Sequence, residues 1–515
     1  MRTNQGVMML RFLAVVCALM LLGGCTSAIP YRVESESTLP PVALEFTAPL
    51  GDAGESINQG VLLSLPSAAH GGLEYFSERV LVPFNRHPAE YALRRLLTYT
   101  GTTQADPLSK TTTLSINPGS TVEISGNTAT VNLAPSALSL TNKERYLAAR
   151  AITNTLSQWG DLRFVNLLIN SRQPGLDTAA TLPMGSLSRT TDVSVDEQWD
   201  AINRAAANTA GPFSAQATIY YPVSAGRGVL AQSRPITARS KSMSDLTYAL
   251  LEALSLSETG LENTQAVPNL IPLLASDILV EESPGSTGRV VRLHFHENLN
   301  EELIAAGVPR SVMMAALTYT LTTFLPYTAG ITVTIGNEPI AALVPSGIFE
   351  GAGEQILFEN NVMQRGQFQR FLLNNVSLYF MNAQGSLTTS LRPIPAHQAD
   401  NPRYLLGQLM AGPEATDSVP GLANVMPQDL RDSDILGINR VNDTVLVNFS
   451  DRLTQLTEGF TAQQEMLMVY AMVNTLTQKP HTRQAAFFIN GIQPTSKPGD
   501  LDYAGVFLRN EGIIR

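Results

Sequence analysis

Residues 444–494 read TVLVNFSDRLTQLTEGFTAQQEMLMVYAMVNTLTQKPHTRQAAFFINGIQP, and this stretch decides the fold. It opens on a β-rich run, Val445 to Phe449. Thr461 is followed three residues later by Gln464, the capping-box spacing that starts a helix. Val469, Met472, Val473 and Leu476 then fall at i, i+3, i+4 and i+7, the stripe of a helix buried on one face. Pro480 lies past the helix end near Thr477. A second apolar run, Ala485 to Ile489, ends at Asn490-Gly491, a dipeptide suited to a tight turn. The order is strand, helix, strand.

The same order occurs at Thr128 to Pro174. Val131-Asn132-Leu133 parallels Val447-Asn448-Phe449. Thr141 with Glu144 repeats the capping box, and Asn154-Thr155-Leu156 repeats Asn474-Thr475-Leu476 at the same distance from its cap. Ile169-Asn170 leads to Gln173-Pro174, as Ile489-Asn490 leads to Gln493-Pro494. A third, more diverged copy lies between them. Its strands are expected at Val290 to Phe295 and Ile331 to Ile335. Pro309 takes the helix start, a favoured N1 choice, and Tyr319-Thr320-Leu321 stands for Asn-Thr-Leu. Ala149, Ile152, Thr153 and Leu156 share a stripe with Met314, Leu317, Thr318 and Leu321, which argues for one repeated packing.

The front halves match as well. Thr218 to Pro222 parallels Ser377 to Met381. Each leads through a glycine turn to a second strand ending in Arg-Pro-Ile, at Arg234 and Arg392. Helices are expected at Glu90 to Leu97, Leu246 to Leu254 and Tyr404 to Met410, and the leading strands of the first copy within Leu73 to Phe84. Each unit is therefore an α+β domain, a small sheet packed against two helices. The expected boundaries are 71–175, 214–345 and 376–496, with linkers at 176–213 and 346–375, a tether at 25–70 and a tail at 497–515.

Residues 1–24 read as a signal peptide. Arg2 and Arg11 form a positive start, Phe12 to Leu22 is apolar, and Leu22-Gly23-Gly24-Cys25 is a small-residue cleavage site. The apolar run is far short of the roughly 20 residues that span a bilayer. Leu-Gly-Gly-Cys resembles the bacterial lipobox, which implies that Cys25 is the first mature residue and carries a thioether-linked diacylglycerol and an N-acyl chain such as palmitate. Two or more chains anchor where one holds only marginally. The expected location is the extracytoplasmic face of the cell membrane.

Composition fits that reading. The only cysteines are Cys17, inside the signal, and Cys25, so the mature chain has no disulfide to form. The net charge of −10 becomes −12 once Arg2 and Arg11 leave with the signal, which argues against nucleic acid as a partner.

Catalytic signatures are missing. The chain has no Gly-x-Ser-x-Gly elbow, phosphate loop or His-Glu-x-x-His. Of the six histidines, only His294 and His296 are close, at the i, i+2 spacing that shares a strand face. With Glu297 they make the one conceivable metal set, but no equivalent stands in the other copies, and a solvated strand face is the preferred reading. The glycines from Gly347 to Gly353 read as hinge. Asn132 and Asn448 sit where a strand disfavours asparagine. A partner contact is one reading; the favoured one is an amide tying the strand to a nearby turn, and Asn154 and Asn474 are read likewise. Tyr220, Tyr221, Tyr379 and Phe380 read as core. No catalytic, cofactor or metal residue is assigned.

The third copy resembles a known family. Leu378-Tyr379-Phe380, Arg392-Pro393-Ile394 and Leu409-Met410-Ala411-Gly412-Pro413 are similar to the front of a GerMN domain. Gly421-Leu422, Met426-Pro427, Val447-Asn448-Phe449-Ser450 and Val473-Asn474-Thr475-Leu476 are similar to its remainder. The first copy keeps the back half; the middle copy departs, with His294 and Tyr319 at the two asparagine positions. The resemblance to the GerM sporulation and spore-germination family implies three tandem GerMN-like domains on an N-terminal lipid anchor. It implies interaction modules akin to the ring-building domains of secretion systems, working with envelope or sporulation proteins between mother cell and forespore rather than by catalysis. Three copies depart from the family's familiar two. The alternative is an envelope lipoprotein that binds a ligand or modifies the cell wall; a deep pocket lined by convergent polar groups favours it, and exposed sheet edges favour assembly.

Overall fold

The computed structural model describes residues 46–515, apart from short stretches at 53–55, 70–71, 178–180, 191–194, 208–210, 224–226, 256–262, 283–287, 347, 349–352, 416, 418, 495–502 and 504. The signal peptide, Cys25, Gly347 and Gly351 lie outside the described residues.

The first unit opens on an antiparallel hairpin, β1 (Ser56–Pro66) and β2 (Leu73–Pro83), followed by helix α1 (Pro88–Leu97). Then come β3 (Glu123–Ser125), β4 (Thr128–Leu133), helix α2 (Asn142–Leu156), β5 (Phe164–Ile169) and β6 (Leu187–Ser188). Helix α3 (Val195–Ala207) leads to the second unit. That unit has the hairpin β7 (Phe213–Pro222) and β8 (Val229–Ala238), then α4 (Met243–Leu254), β9 (Leu279–Glu282) and β10 (Arg289–Phe295). It closes with α5 (Leu299–Ala305), α6 (Arg310–Phe324), β11 (Thr328–Ile335) and β12 (Glu338–Pro339). A short pair, β13 (Ala342–Leu343) and β14 (Ile356–Leu357), follows. The third unit repeats the order with β15 (Leu373–Met381), β16 (Leu387–Pro395), α7 (Pro402–Ala411), β17 (Ile435–Val441), β18 (Thr444–Phe449), α8 (Arg452–Thr457), α9 (Ala462–Leu476), β19 (Gln484–Ile489) and β20 (Phe507–Leu508).

The architecture is α+β; among the described residues it holds three long hairpins, the short β13–β14 pair and three four-stranded mixed sheets. In each sheet the two inner strands run parallel, joined by the long helix: β4 with β5, β10 with β11, β18 with β19. A parallel pair needs such a crossover. The long helix packs on its own hairpin, α2 on β1, α6 on β7 and α9 on β15. Both capping boxes form: Thr141 with Glu144, and Thr461 with Gln464. The stripes Ala149-Ile152-Thr153-Leu156 and Val469-Met472-Val473-Leu476 are buried. Pro309 is the N-cap of α6, one residue before the position expected, and every residue from Ser311 to Phe324 is buried. The far side of α6 is covered by the turn at Arg365–Phe371, so this helix lost its polar face and with it the amphipathic pattern of the other two.

Several boundaries need correction. The expected tether, 25–70, contains β1, whose pairing with β2 buries Val61, Leu63 and Leu65. Pro49 to Asp52 lies along the edge of the third sheet: the Gly51 N–H donates to the Leu436 carbonyl at 2.8 Å, and the Ile438 N–H donates to Asp52 at 2.9 Å. The 176–213 segment is part of the first unit, since Leu176, Leu182, Met184, Leu187 and Val195 sit in its core. The 346–375 segment supplies Phe358, Met363, Phe368 and Phe371 to the second core. The 497–515 tail supplies β20 and Phe507 to the third.

One structural feature underlies the last three of these differences. The last long strand of each unit has an open edge, and the following segment returns to cover it. Val165 faces Leu187, Ala485 faces Phe507, and Ile331 faces Met363 at the same register position in the three units. Such short return strands carry too few residues to show a period.

Candidate functional site

The repeated asparagines are structural ties. Asn132 Oδ1 accepts the Ser171 N–H at 2.8 Å, and Asn448 Oδ1 accepts the Gly491 N–H at 2.9 Å. Both reach the turn after the last strand, where Asn170, Ser171, Asn490 and Gly491 all have positive φ, as a two-residue hairpin turn of this hand requires. In the middle unit His294 takes the same place, with Nε2 2.7 Å from the Gly336 carbonyl. His296 and Glu297 are exposed beside it. The described residues hold no cluster of three or more metal-ligating side chains.

The second asparagine holds the return segment. Asn154 Oδ1 accepts the Thr190 N–H at 3.2 Å, and Asn474 Oδ1 accepts the Asn510 N–H at 3.0 Å. Two further ties are made by glutamines. Gln158 bonds both backbone groups of Leu62, at 2.9 and 3.1 Å. Gln478 accepts the Ser377 N–H at 2.9 Å. Each glutamine stands two residues after the leucine of Asn-Thr-Leu, so the repeated signal was longer than that tripeptide. Arg392, of the Arg-Pro-Ile motif, is buried; it pairs bidentately with Asp417 at 2.9 and 2.7 Å and donates to the Gly412 carbonyl at 2.8 Å. That clamp fixes the loop after α7.

Tyr220, Tyr221, Tyr379 and Phe380 are buried as expected, but Tyr220 also belongs to a polar joint between units. The Arg365 guanidinium lies 4.3 Å from the Tyr319 ring centre, donates to the Tyr220 hydroxyl at 3.1 Å and pairs with Glu123 of the first unit. Burial disfavours the Arg365 charge, yet Glu123 and the two phenols more than offset it and raise its pKa further. Beside it, Asn166, Ser186 and Thr218 form a buried hydrogen-bonded set across the first and second units. Ser125 of the first unit joins all three. Its hydroxyl donates to the Leu373 carbonyl at 2.5 Å and accepts the Ala231 N–H at 3.0 Å. Gly126 is required there, because a Cβ would stand 2.5 Å from the Ala231 carbonyl oxygen.

A second joint links the first and third units. Asp161 lies 3.3 Å from His87 and 3.2 Å from Lys479, and the His87 and His481 rings are 5.2 Å apart. Burial alone would raise the Asp161 pKa, but His87 and Lys479 hold it well below the usual carboxylate range. Burial, with His87, Arg440 and Lys479 nearby, pushes the His481 pKa well down. These contacts are buried, and His481 Nδ1, Arg365 Nε and the Tyr319 hydroxyl have no hydrogen-bond partner among the described residues. No activated nucleophile with an adjacent base stands in either joint.

The fold and these joints define a class: a chain of α+β units locked together by buried polar contacts. Residues 377–495 match the model of the Germane family, described as sporulation and spore germination. That match falls on the third unit. Among solved structures, the tandem GerMN domains of the sporulation protein GerM from Bacillus subtilis are similar at 13% identity, covering 57% of this chain and 98% of that one, with a TM-score of 0.22. A putative lipoprotein from Clostridium perfringens is similar at 20% identity, covering 26% of this chain and 87% of that one, with a TM-score of 0.19. No curated protein matches the chain.

Proposed function

We propose that this protein is a lipid-anchored extracytoplasmic lipoprotein acting as a non-enzymatic assembly module in sporulation or spore germination, held to the membrane through Cys25 and binding other envelope or sporulation proteins. The observation that carries the reading is the Germane match at residues 377–495. The middle and first units read as diverged GerMN-like copies, since they share the order of hairpin, sheet and crossover helix. The polar groups that recur between units are spent on ties within the fold, as the asparagine and glutamine contacts illustrate. Side chains used in this way position backbone rather than substrate.

The test is genetic. A strain lacking the gene is expected to yield fewer heat-resistant spores, or spores that germinate poorly. Complementation with the wild-type gene restores them, while a Cys25→Ser copy restores them less, because the protein no longer stays at its membrane. A null strain with normal sporulation and germination contradicts the proposal.

A further inference from the structure

A cavity of about 370 Å³ opens where the three units meet. The start of α1 contributes Arg86, His87 and Glu90, the second unit contributes Tyr319 and Arg370, and the third contributes His397 and Asp400. A site built from three parts of a chain is a common place for a small ligand.

Two observations give this cavity a chemistry. The first is an unpaired polar atom. Tyr319 is fully buried and its hydroxyl has no hydrogen-bond partner. Buried polar groups are nearly always satisfied, so an orphaned hydroxyl on a cavity wall calls for an occupant. The second is charge. Two acids of the lining are already matched: Glu90 by Arg94 at 2.7 Å, and Glu123 by Arg365. Arg86 has no carboxylate partner among the described residues. Helix α1, with Pro88 at its first position, turns its positive end to the same space.

We infer that the junction cavity binds a small anion bearing carboxylate or phosphate groups, held by Arg86 with the Tyr319 hydroxyl as a donor. Such a molecule bridges the first and second units, so its binding tightens their mutual packing. The inference goes beyond the assembly role and does not depend on it.

The experiment uses the full mature chain. Citrate and inorganic phosphate are titrated by calorimetry, and thermal unfolding is followed in the same anions against sodium chloride of equal ionic strength. The expected result is saturable binding of at least one anion and a rise in Tm beyond the salt control. Citrate alone identifies a carboxylate ligand, and phosphate alone a phosphoryl ligand. Arg86→Ala, an exposed position that leaves folding intact, is expected to weaken binding by about tenfold or more, as loss of a charge-assisted contact does. Tyr319→Phe is expected to weaken it less. Absence of saturable binding by either anion overturns the inference, and so does binding that both variants leave unchanged.

Discussion

Asn474 holds Asn510: its Oδ1 accepts the Asn510 N–H at 3.0 Å and its Nδ2 donates to the Asn510 carbonyl at 3.1 Å. One buried amide thus satisfies both backbone groups of a residue 36 positions away and seats the strand that closes the third sheet. Asn154 does half of this for Thr190 in the first unit. Asn474→Ala is expected to cost about 1–3 kcal/mol, the penalty for stranding buried backbone groups. Leu476→Ala, two residues on in the buried stripe, is expected to cost roughly 2–5 kcal/mol. Equilibrium unfolding of the full chain measures both. An Asn474→Ala protein as stable as the parent means that the closing strand does not need this tie.

The first unit reaches into the third. Ile57 and Phe84, at the outer end of the β1–β2 hairpin, belong to the third hydrophobic core. Phe84→Ala is expected to remove about 3–5 kcal/mol. The loss is expected to appear as faster hydrogen exchange in β16 and β18 of the third unit, not only in the hairpin. Faster exchange confined to residues 56–97 contradicts this coupling.

The strand-helix-strand halves were legible because each carries a cap, a stripe and a turn in sequence. The contacts between units were not. Ser125, Gly126 and Glu123 are ordinary polar residues in sequence, and their partners, Leu373, Ala231 and Arg365, lie in other units. Return strands such as Phe507–Leu508 are too short to show a period, so the sequence there looks like a tail. For the asparagines, strand disfavour alone pointed to a local tie, and the turn contacts agree.

Acid is expected to loosen the joint between the first and third units in two steps. The folded protein keeps His481 neutral, with its pKa well below the ordinary 6.5. Below about pH 6.5 the unfolded chain therefore takes a proton that the folded chain refuses, and stability falls. Asp161 has the opposite chemistry and the same consequence. Its folded pKa is depressed below the ordinary 3.8, so its contribution is present above that value and is lost as pH falls through it toward the folded pKa. Denaturant midpoints measured from pH 8 to pH 3 are expected to decline first below about 6.5 and again below about 4. His481→Gln is expected to lose the upper decline and keep the lower. An unchanged upper decline in that variant assigns it to another group.

Lipid attachment at Cys25 is open to direct measurement. Mass spectrometry of the mature N-terminus is expected to find a modified Cys25 as the first residue, and Cys25→Ser is expected to remain uncleaved by the lipoprotein peptidase and to leave the membrane fraction. An unmodified Cys25, or a different first residue, contradicts the anchor.

The central claim is a non-catalytic role in sporulation or germination. Heat-resistant spore counts and germination rates, compared in a null strain, its wild-type complement and a complement carrying His294→Ala with His296→Ala, test it most directly. The account predicts loss in the null and full recovery with both complements. Normal spores in the null contradict the claim; so does failure of the double histidine variant while it stays folded and membrane-bound, since that result assigns a chemical task to the middle unit.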